Sequence, residues 1–384
     1  VLTVDQNLQM LLGDALKEAA EQSHARASAG ILLDVLTGEI LAVEHFPFFH
    51  PQDLNSYPEN LPFNPMPLSY VYEPGSTFKP ITMAIALSLN KVDPMEKMAC
   101  HGPRQVGDTF VKEFRDYHGV VSWEDILIVS CNVGASIIGE RIGEEEWKTW
   151  LRNFGFSSFA LQEYTDSFFA PVVKNILFED RITLPSQYTD VDRSRFGFGQ
   201  GISVTLLRLA KAYTVFAWRG EMIHPCIVKE IHNSEGRVLW KCRPKKTRVL
   251  TNPSVADSIL QALRKVVTSP RGTGRRADIP GYVIAGKTGT AQIYEPHSGS
   301  YSHQRLVVSF MGFLDFLSEE REFLPRFRYI LGMYLVEPEF SPELSGGVYV
   351  APVFQKFARE LFWYSTIPPD EEVRPDGENF EATH

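Results

Sequence analysis

Strand-like segments lie at both ends of this 384-residue chain and helical segments fill the middle. A sheet built that way must draw its strands from opposite ends of the sequence, which points to one α+β domain. Near the start, Gly30 to Val35 and Glu39 to Val43 flank Leu36-Thr37-Gly38 and read as two strands about a tight turn. After Pro280, Tyr282 to Tyr294, Leu306 to Phe313 and Tyr329 to Val336 read as three more. Between and around them, helices are expected over Leu8 to Ala20, Ile81 to Leu89, Trp123 to Arg141, Glu144 to Phe154, Val204 to Trp218, Pro253 to Thr268 and Val353 to Tyr364. Phe46 to Pro67 carries six prolines and reads as a loop. Leu161 to Val191 fits no regular pattern, and the acidic tail after Pro368 is expected to be disordered.

Hydrophobic residues at 44% are enough for a sizeable core. The net charge of -9 argues against nucleic acid, since such a partner needs a basic face. The cysteines, Cys100, Cys131, Cys226 and Cys242, form no Cys-x-x-Cys pair, and no His-Glu-x-x-His occurs. On that spacing neither a zinc site nor a disulfide framework is expected. No run of about 18 apolar residues offers a membrane span. The chain opens at Val1 rather than methionine, which fits removal or omission of a targeting segment or anchor.

Three short motifs carry chemistry. Ser76-Thr77-Phe78-Lys79 opens the apolar helix behind Pro74-Gly75. Residues three apart share a helix face, so hydroxyl and amine would lie side by side where the helix dipole favours negative charge. A lysine against apolar surface loses its proton more easily and can serve as a base. Ser-x-x-Lys is common by chance, and it recurs at Ser88 and Lys91. Ser130-Cys131-Asn132 follows an apolar run, and its hydroxyl and carboxamide could relay a proton and bind an amide; a helix cap is the plainer reading. Lys287-Thr288-Gly289-Thr290 lies in a strand whose glycine would let a ligand approach the backbone, beside groups suited to a carboxylate. Gly281 to Thr288 also fits the nucleotide P-loop spacing, but Tyr282 to Ala285 is strand-like and no helix follows Thr288, so context rejects it.

The order Ser-x-x-Lys, Ser-x-Asn, Lys-Thr-Gly resembles that of penicillin-binding proteins and serine β-lactamases. The likeness extends further. Leu2-Thr3-Val4-Asp5, Tyr72 to Pro80, Phe198-Gly199-Gln200-Gly201 with Val204-Thr205, Ala285 to Gln292, Ser309 to Phe313, and Gly346-Gly347 ahead of Ala351 to Phe354 resemble class B penicillin-binding transpeptidase domains. The resemblance covers about residues 1–368, leaving 369–384 as the tail. Trp218-Arg219-Gly220 departs from the family, as does the unassigned stretch from Leu161.

The resemblance implies a three-layer α/β/α fold with a mostly antiparallel five-stranded sheet and a site at one sheet edge. It implies a D,D-transpeptidase that cross-links peptidoglycan stem peptides through a serine acyl-enzyme and is blocked by β-lactams. Ser76 would be the nucleophile, Lys79 the base, Ser130 the proton relay and Asn132 the amide-binding group. Lys287, Thr288, Gly289 and Thr290 would hold the substrate carboxylate, with the Ser76 and Thr290 backbone N–H groups as the oxyanion hole. No metal or organic cofactor is expected. Expected partners are stem peptides, β-lactams, a membrane-bound glycan polymerase and division or elongation proteins. Expected placement is the outer face of the bacterial cytoplasmic membrane, with the anchor and an upstream module outside this chain. Ser130 to Gly134 resembles septal members more than elongation ones. A hydrolytic β-lactamase, a carboxypeptidase, a β-lactam sensor and an inactive scaffold are the alternatives.

Overall fold

The computed structural model describes residues 1–48, 58, 64–156, 187–295, 297, 299–317 and 325–369. Most of the stretch from Leu161 to Val191 and all of the tail beyond residue 369 lie outside them, as does much of the proline-rich loop.

Helix α1 (Gln6–Gln22) is capped by Asp5, whose carboxylate accepts from the Asn7 and Leu8 N–H groups. Strands β1 (Ala27–Asp34) and β2 (Ile40–Phe46) follow. After the loop, a single 3-10 turn over Gly75–Phe78 leads into α2 (Lys79–Ser88). Then come α3 (Trp123–Ile128), α4 (Asn132–Arg141), α5 (Leu206–Ala217) and α6 (Pro253–Thr268). Strands β3 (Ala285–Glu295), β4 (Ser300–Phe316) and β5 (Phe327–Val336) precede the closing helix α7 (Ala351–Tyr364).

These five strands make one antiparallel sheet in the order β3-β4-β5-β1-β2. The N-terminal hairpin joins the C-terminal strands where Ala27 pairs with Val336 and Asp34 with Tyr329. Every residue of β1 is buried because helices cover both faces. Alternation sorts β5 by face: Tyr329, Leu331, Met333 and Leu335 pack with Leu12 and Leu16 of α1 and Phe354 and Phe357 of α7. Ile330, Tyr334 and Val336 turn to the opposite face, where α2, α5 and α6 supply Ile81, Tyr213 and Ile259. The three-layer arrangement and the five-stranded sheet agree with expectation. No helix among the described residues is long and apolar enough to cross a membrane.

Two expectations change. The single helix over Trp123 to Arg141 is two helices, broken at Val129 to Cys131, where Ser130 takes a φ of 63°. Apolar spacing runs through this break, so periodicity alone could not reveal it. Against the expectation on cysteines, Cys226 and Cys242 are joined by a disulfide. The hairpin of Glu230–His232 with Val238–Lys241 brings them together, an adjacency that sequence spacing does not encode. Further three-residue strand pairs, Met98–Cys100 with Gly119–Val121 and Arg104–Val106 with Thr109–Val111, are too short to leave a periodic signal.

Candidate active site

The 3-10 turn places Ser76 where α2 begins, on the wall of a cleft that Ser130, Asn132, Thr288 and Thr290 also line. Gly75 holds this turn with a φ of 54°, and its N–H donates to the Gly199 carbonyl at 3.0 Å. Gly199 itself has a φ of 78°, and a Cβ there would stand 2.1 Å from the Gly75 carbonyl oxygen. Phe198 to Gly201 therefore acts as a brace behind the Ser76 turn, which gives that stretch a physical reason. Gly199→Ala is expected to lower the melting temperature and slow acylation at Ser76 together; thermal denaturation and an acylation assay check both.

Lys79 is fully buried. Its amine donates to the Ser130 carbonyl at 2.5 Å, to Asn132 Oδ1 at 2.8 Å and to Ser130 Oγ at 3.3 Å. The break between α3 and α4 makes this possible, because it turns the Ser130 carbonyl and hydroxyl toward α2 while Asn132 starts the next helix. From the other side, the buried Lys287 amine donates to Ser130 Oγ at 3.0 Å. It also reaches the Thr288 carbonyl at 3.2 Å and Thr288 Oγ1 at 3.3 Å. Ser130 Oγ thus bridges two lysines from distant segments.

Burial pushes the Lys79 amine down to about 8, with the Glu113 charge pulling the other way. Burial pushes Lys287 well below the ordinary lysine range, and the nearby Lys79 charge adds to that. A neutral amine at this pair is therefore accessible near neutral pH, as a base requires.

Gly289 lies on β3 facing the nucleophile turn; a Cβ there would meet Ser309 Oγ at 2.2 Å and Thr77 Cγ2 at 3.0 Å. Thr290 Oγ1 accepts from the Gly346 N–H at 3.4 Å, linking the motif to Gly346-Gly347. β3 is an edge strand of the sheet, so its outer backbone edge is available to an extended ligand.

Of the eight candidate residues, Ser76, Ser130, Asn132, Thr288 and Thr290 line this cleft, Lys79 and Lys287 are buried behind it and joined to it through Ser130, and Gly289 packs against Ser309 and Thr77. Sequence reading missed four supporting residues. Thr273 Oγ1 lies 2.8 Å from Thr288 Oγ1. Glu113 accepts from the Asn132 and Val133 N–H groups at 2.9 and 2.8 Å and fixes the start of α4. Glu73 Oε1 accepts from the Gly201 N–H and the Tyr301 hydroxyl, each at 2.9 Å. Thr273, Glu113 and Tyr301 stand in no motif that spacing could mark, and Glu73 lies in the Tyr72 to Pro80 segment, where likeness alone gave it no role.

Burial pushes the Glu73 carboxyl up to about 7, against its bonds to Gly201 and Tyr301. A carboxyl raised in the fold contributes stability that is complete below its unfolded value and is lost as pH rises through its folded value. Glu73→Gln keeps an oxygen for both donors and cannot ionise. The wild type is expected to lose roughly 3 kcal/mol relative to this variant between about pH 4.5 and 8. Denaturant melts of both proteins at pH 5 and 8 check this; parallel curves would count against it.

The rival motif readings do not hold together in space. Ser88 Oγ bonds the Ala84 carbonyl within α2, and Lys91 pairs with Glu146. Lys287 sits inside a strand that continues to Glu295, not in a loop before a helix, so Gly281 to Thr288 is no phosphate cradle.

Residues 29–318 match the family model described as the penicillin binding protein transpeptidase domain. The chain is 29% identical over 378 residues to penicillin-binding protein PbpB of Mycolicibacterium smegmatis, covering 96% of this chain and 55% of that protein. It is 31% identical over 315 residues to stage V sporulation protein D of Bacillus subtilis, covering 81% and 47%. The chain thus spans about half the length of these curated relatives. Among solved structures, penicillin binding protein 3 of Mycobacterium tuberculosis complexed with ampicillin superposes with a TM-score of 0.80 at 27% identity, covering 98% of this chain and 80% of that one. The same protein complexed with aztreonam gives 0.79 at 26%, covering 97% and 80%.

Proposed function

The chain belongs to the penicillin-binding protein transpeptidase family, and from that premise we propose that it is a class B, septal-type peptidoglycan D,D-transpeptidase. The observation that carries the reading is the Lys79–Ser130–Lys287 network, closed by Asn132, beside Ser76 in one cleft.

In this reading a stem peptide lies along the outer edge of β3 with its terminal carboxylate against Thr288, Thr290 and the Lys287 charge. Ser76 Oγ attacks the carbonyl between the last two D-alanines, and its proton passes to Lys79. The carbonyl oxygen becomes an oxyanion held by the Ser76 and Thr290 N–H groups. The C–N bond then breaks, and Ser130, hydrogen-bonded to both lysines, hands a proton to the departing amine. D-Ala leaves, and an acceptor amine attacks the Ser76 ester, releasing the enzyme and forming the cross-link. A β-lactam opens on Ser76 without losing a fragment, so its acyl-enzyme persists. The penicillin binding protein 3 complexes with ampicillin and aztreonam support that inhibition here.

Residues 1–368 form the proposed transpeptidase unit. The Cys226–Cys242 disulfide supports an oxidising compartment, in line with placement outside the cytoplasmic membrane. A membrane-bound glycan polymerase and division proteins are the proposed partners. Depletion in the source bacterium is expected to give filaments, and round cells would speak for an elongation role.

Intact mass after incubation with benzylpenicillin tests the chemistry. A single adduct that persists for many turnover times of a β-lactamase is expected. Rapid loss of the adduct would make the protein a hydrolase, and no adduct would sink the reading. With a stem-peptide thioester and an amine acceptor, transferred product rather than free acid separates transpeptidase from carboxypeptidase.

A further inference from the structure

Four side chains that this chemistry does not use meet directly behind the Ser130 turn. Cys100 ends the strand Met98–Cys100, and Cys131 ends the turn itself and caps α4. Glu113 and His118 lie between the strands Thr109–Val111 and Gly119–Val121. Both thiols are fully buried, the Glu113 side chain is 2% exposed and His118 is 21% exposed. One potential ligand atom from each lies within 4.8 Å of the others. Cys100 Sγ stands 3.1 Å from Cys131 Sγ, 3.4 Å from Glu113 Oε1 and 3.6 Å from His118 Nδ1. Cys131 Sγ is 3.3 Å from Glu113 Oε1, and His118 Nδ1 is 3.8 Å from Glu113 Oε2.

Zinc bonds of about 2.3 Å to sulfur and about 2.0–2.2 Å to nitrogen and oxygen, set tetrahedrally, separate the four donors by roughly 3.4–3.8 Å. The separations of Cys100 and Cys131 from Glu113 Oε1, of Cys100 from His118 and of His118 from Glu113 Oε2 already lie close to that range. The two sulfurs sit nearer than that, and they need spread by less than about 1 Å to reach it. We propose that Cys100, Glu113, His118 and Cys131 bind one zinc(II) ion in a closed, four-coordinate structural site. Two thiolates, an imidazole and a carboxylate suit zinc better than the hard, oxygen-seeking cations. Binding releases the two thiol protons. With His118 neutral, the ion and its ligands carry a net charge of -1.

Sequence spacing argued against zinc because the four ligands come from separate short segments that only the fold brings together. The ion has a mechanical task there. Glu113 already accepts from the Asn132 and Val133 N–H groups, and Cys131 Sγ accepts from the Gly134 N–H at 3.2 Å. Zinc would therefore clamp the turn carrying Ser130 and Asn132, and the start of α4, onto residues 100–118. The strands of that region are three residues each and build little core of their own, a setting in which a metal staple stabilises most. Cys100, Glu113, His118 and Cys131 are positioning residues: they touch neither the nucleophile nor the lysines through any hydrogen bond described above.

This inference does not depend on the transpeptidase reading, since metal content and acylation are measured separately. The test is elemental analysis of the full chain purified without chelator or immobilised metal, combined with intact mass under non-reducing conditions. About one zinc per chain is expected, with both thiols of the pair reduced. Stripping with a strong chelator is expected to lower the melting temperature, and zinc but not magnesium to restore it. Cobalt(II) added to stripped protein is expected to give a thiolate charge-transfer band that is weakened in Cys100→Ser and lost when Cys100 and Cys131 are both replaced by serine. Zinc below about a tenth per chain even after zinc addition would overturn the proposal. So would a Cys100–Cys131 disulfide in the wild type, seen as a mass lower by two hydrogens. Because the wild-type metal content and cobalt spectrum decide the matter, a variant that fails to fold does not shield the proposal.

Discussion

Alanine in place of Ser76 is expected to abolish covalent labelling by benzylpenicillin while leaving the melting temperature within a few degrees of the wild type. The side chain removed is one hydroxyl on a partly exposed turn, so little packing is lost. The chemical loss is large because the hydroxyl removed is the one proposed to form the ester; a fall in acylation rate of about 10,000-fold or more is expected, the scale seen when an acylating nucleophile is removed. Stopped-flow acylation with intact-mass readout measures it. Labelling of the alanine variant at another residue would mean that the lysine–serine network serves a different nucleophile. Persistence of the wild-type rate would remove Ser76 from the mechanism.

The second large effect concerns Lys79. Lys79→Ala is expected to slow acylation by about 100- to 10,000-fold, the range for loss of a general base. Unlike Ser76→Ala, it should also destabilise the protein, because the Ser130 carbonyl and Asn132 Oδ1 lose a buried donor at roughly 1–3 kcal/mol each. The pH profile of the wild type separates the base role from the structural one. With the Lys79 amine held down to about 8, its neutral fraction grows about tenfold per pH unit below that value and saturates above it. The acylation rate is expected to climb and level in the same way. A flat profile from pH 6 to 9 would assign the base elsewhere. The stability sign is opposite to that of Glu73. A lysine lowered by the fold binds its proton less well folded than unfolded, so its contribution grows as pH rises from about 8 to the ordinary lysine range.

Much of this arrangement could be read from residues alone. The strands at both ends, the apolar helix behind Ser76 and the three motifs follow from alternation, helical spacing and side-chain chemistry, which act over a few neighbours. What escaped has a common cause. The break at Ser130 sits inside an unbroken apolar pattern, and its reason, the carbonyl offered to Lys79, lies 51 residues away. Glu113 and Thr273 carry no local mark because each matters only through a partner brought to it by the fold. The Cys226–Cys242 bond and the Cys100–Cys131 neighbourhood were invisible for the same reason, since cysteine spacing constrains partners only where the intervening chain is short. Phe198 to Gly201 could be recognised by likeness but not explained until Gly199 was seen against the Gly75 carbonyl.

The pairing of β1 with β5 also ties completion of the candidate site to the last strands of the sheet. Val336 must be in place before Ala27 has its partner, and Lys287 before Ser130 has its second donor. The Ser76 turn thus takes its brace from Phe198 to Gly201, and its neighbour Ser130 takes a second donor from residues further still along the chain. Closing so long a loop is slow, so acylation at Ser76, in the proposed reading, is expected to appear only once the whole sheet has formed.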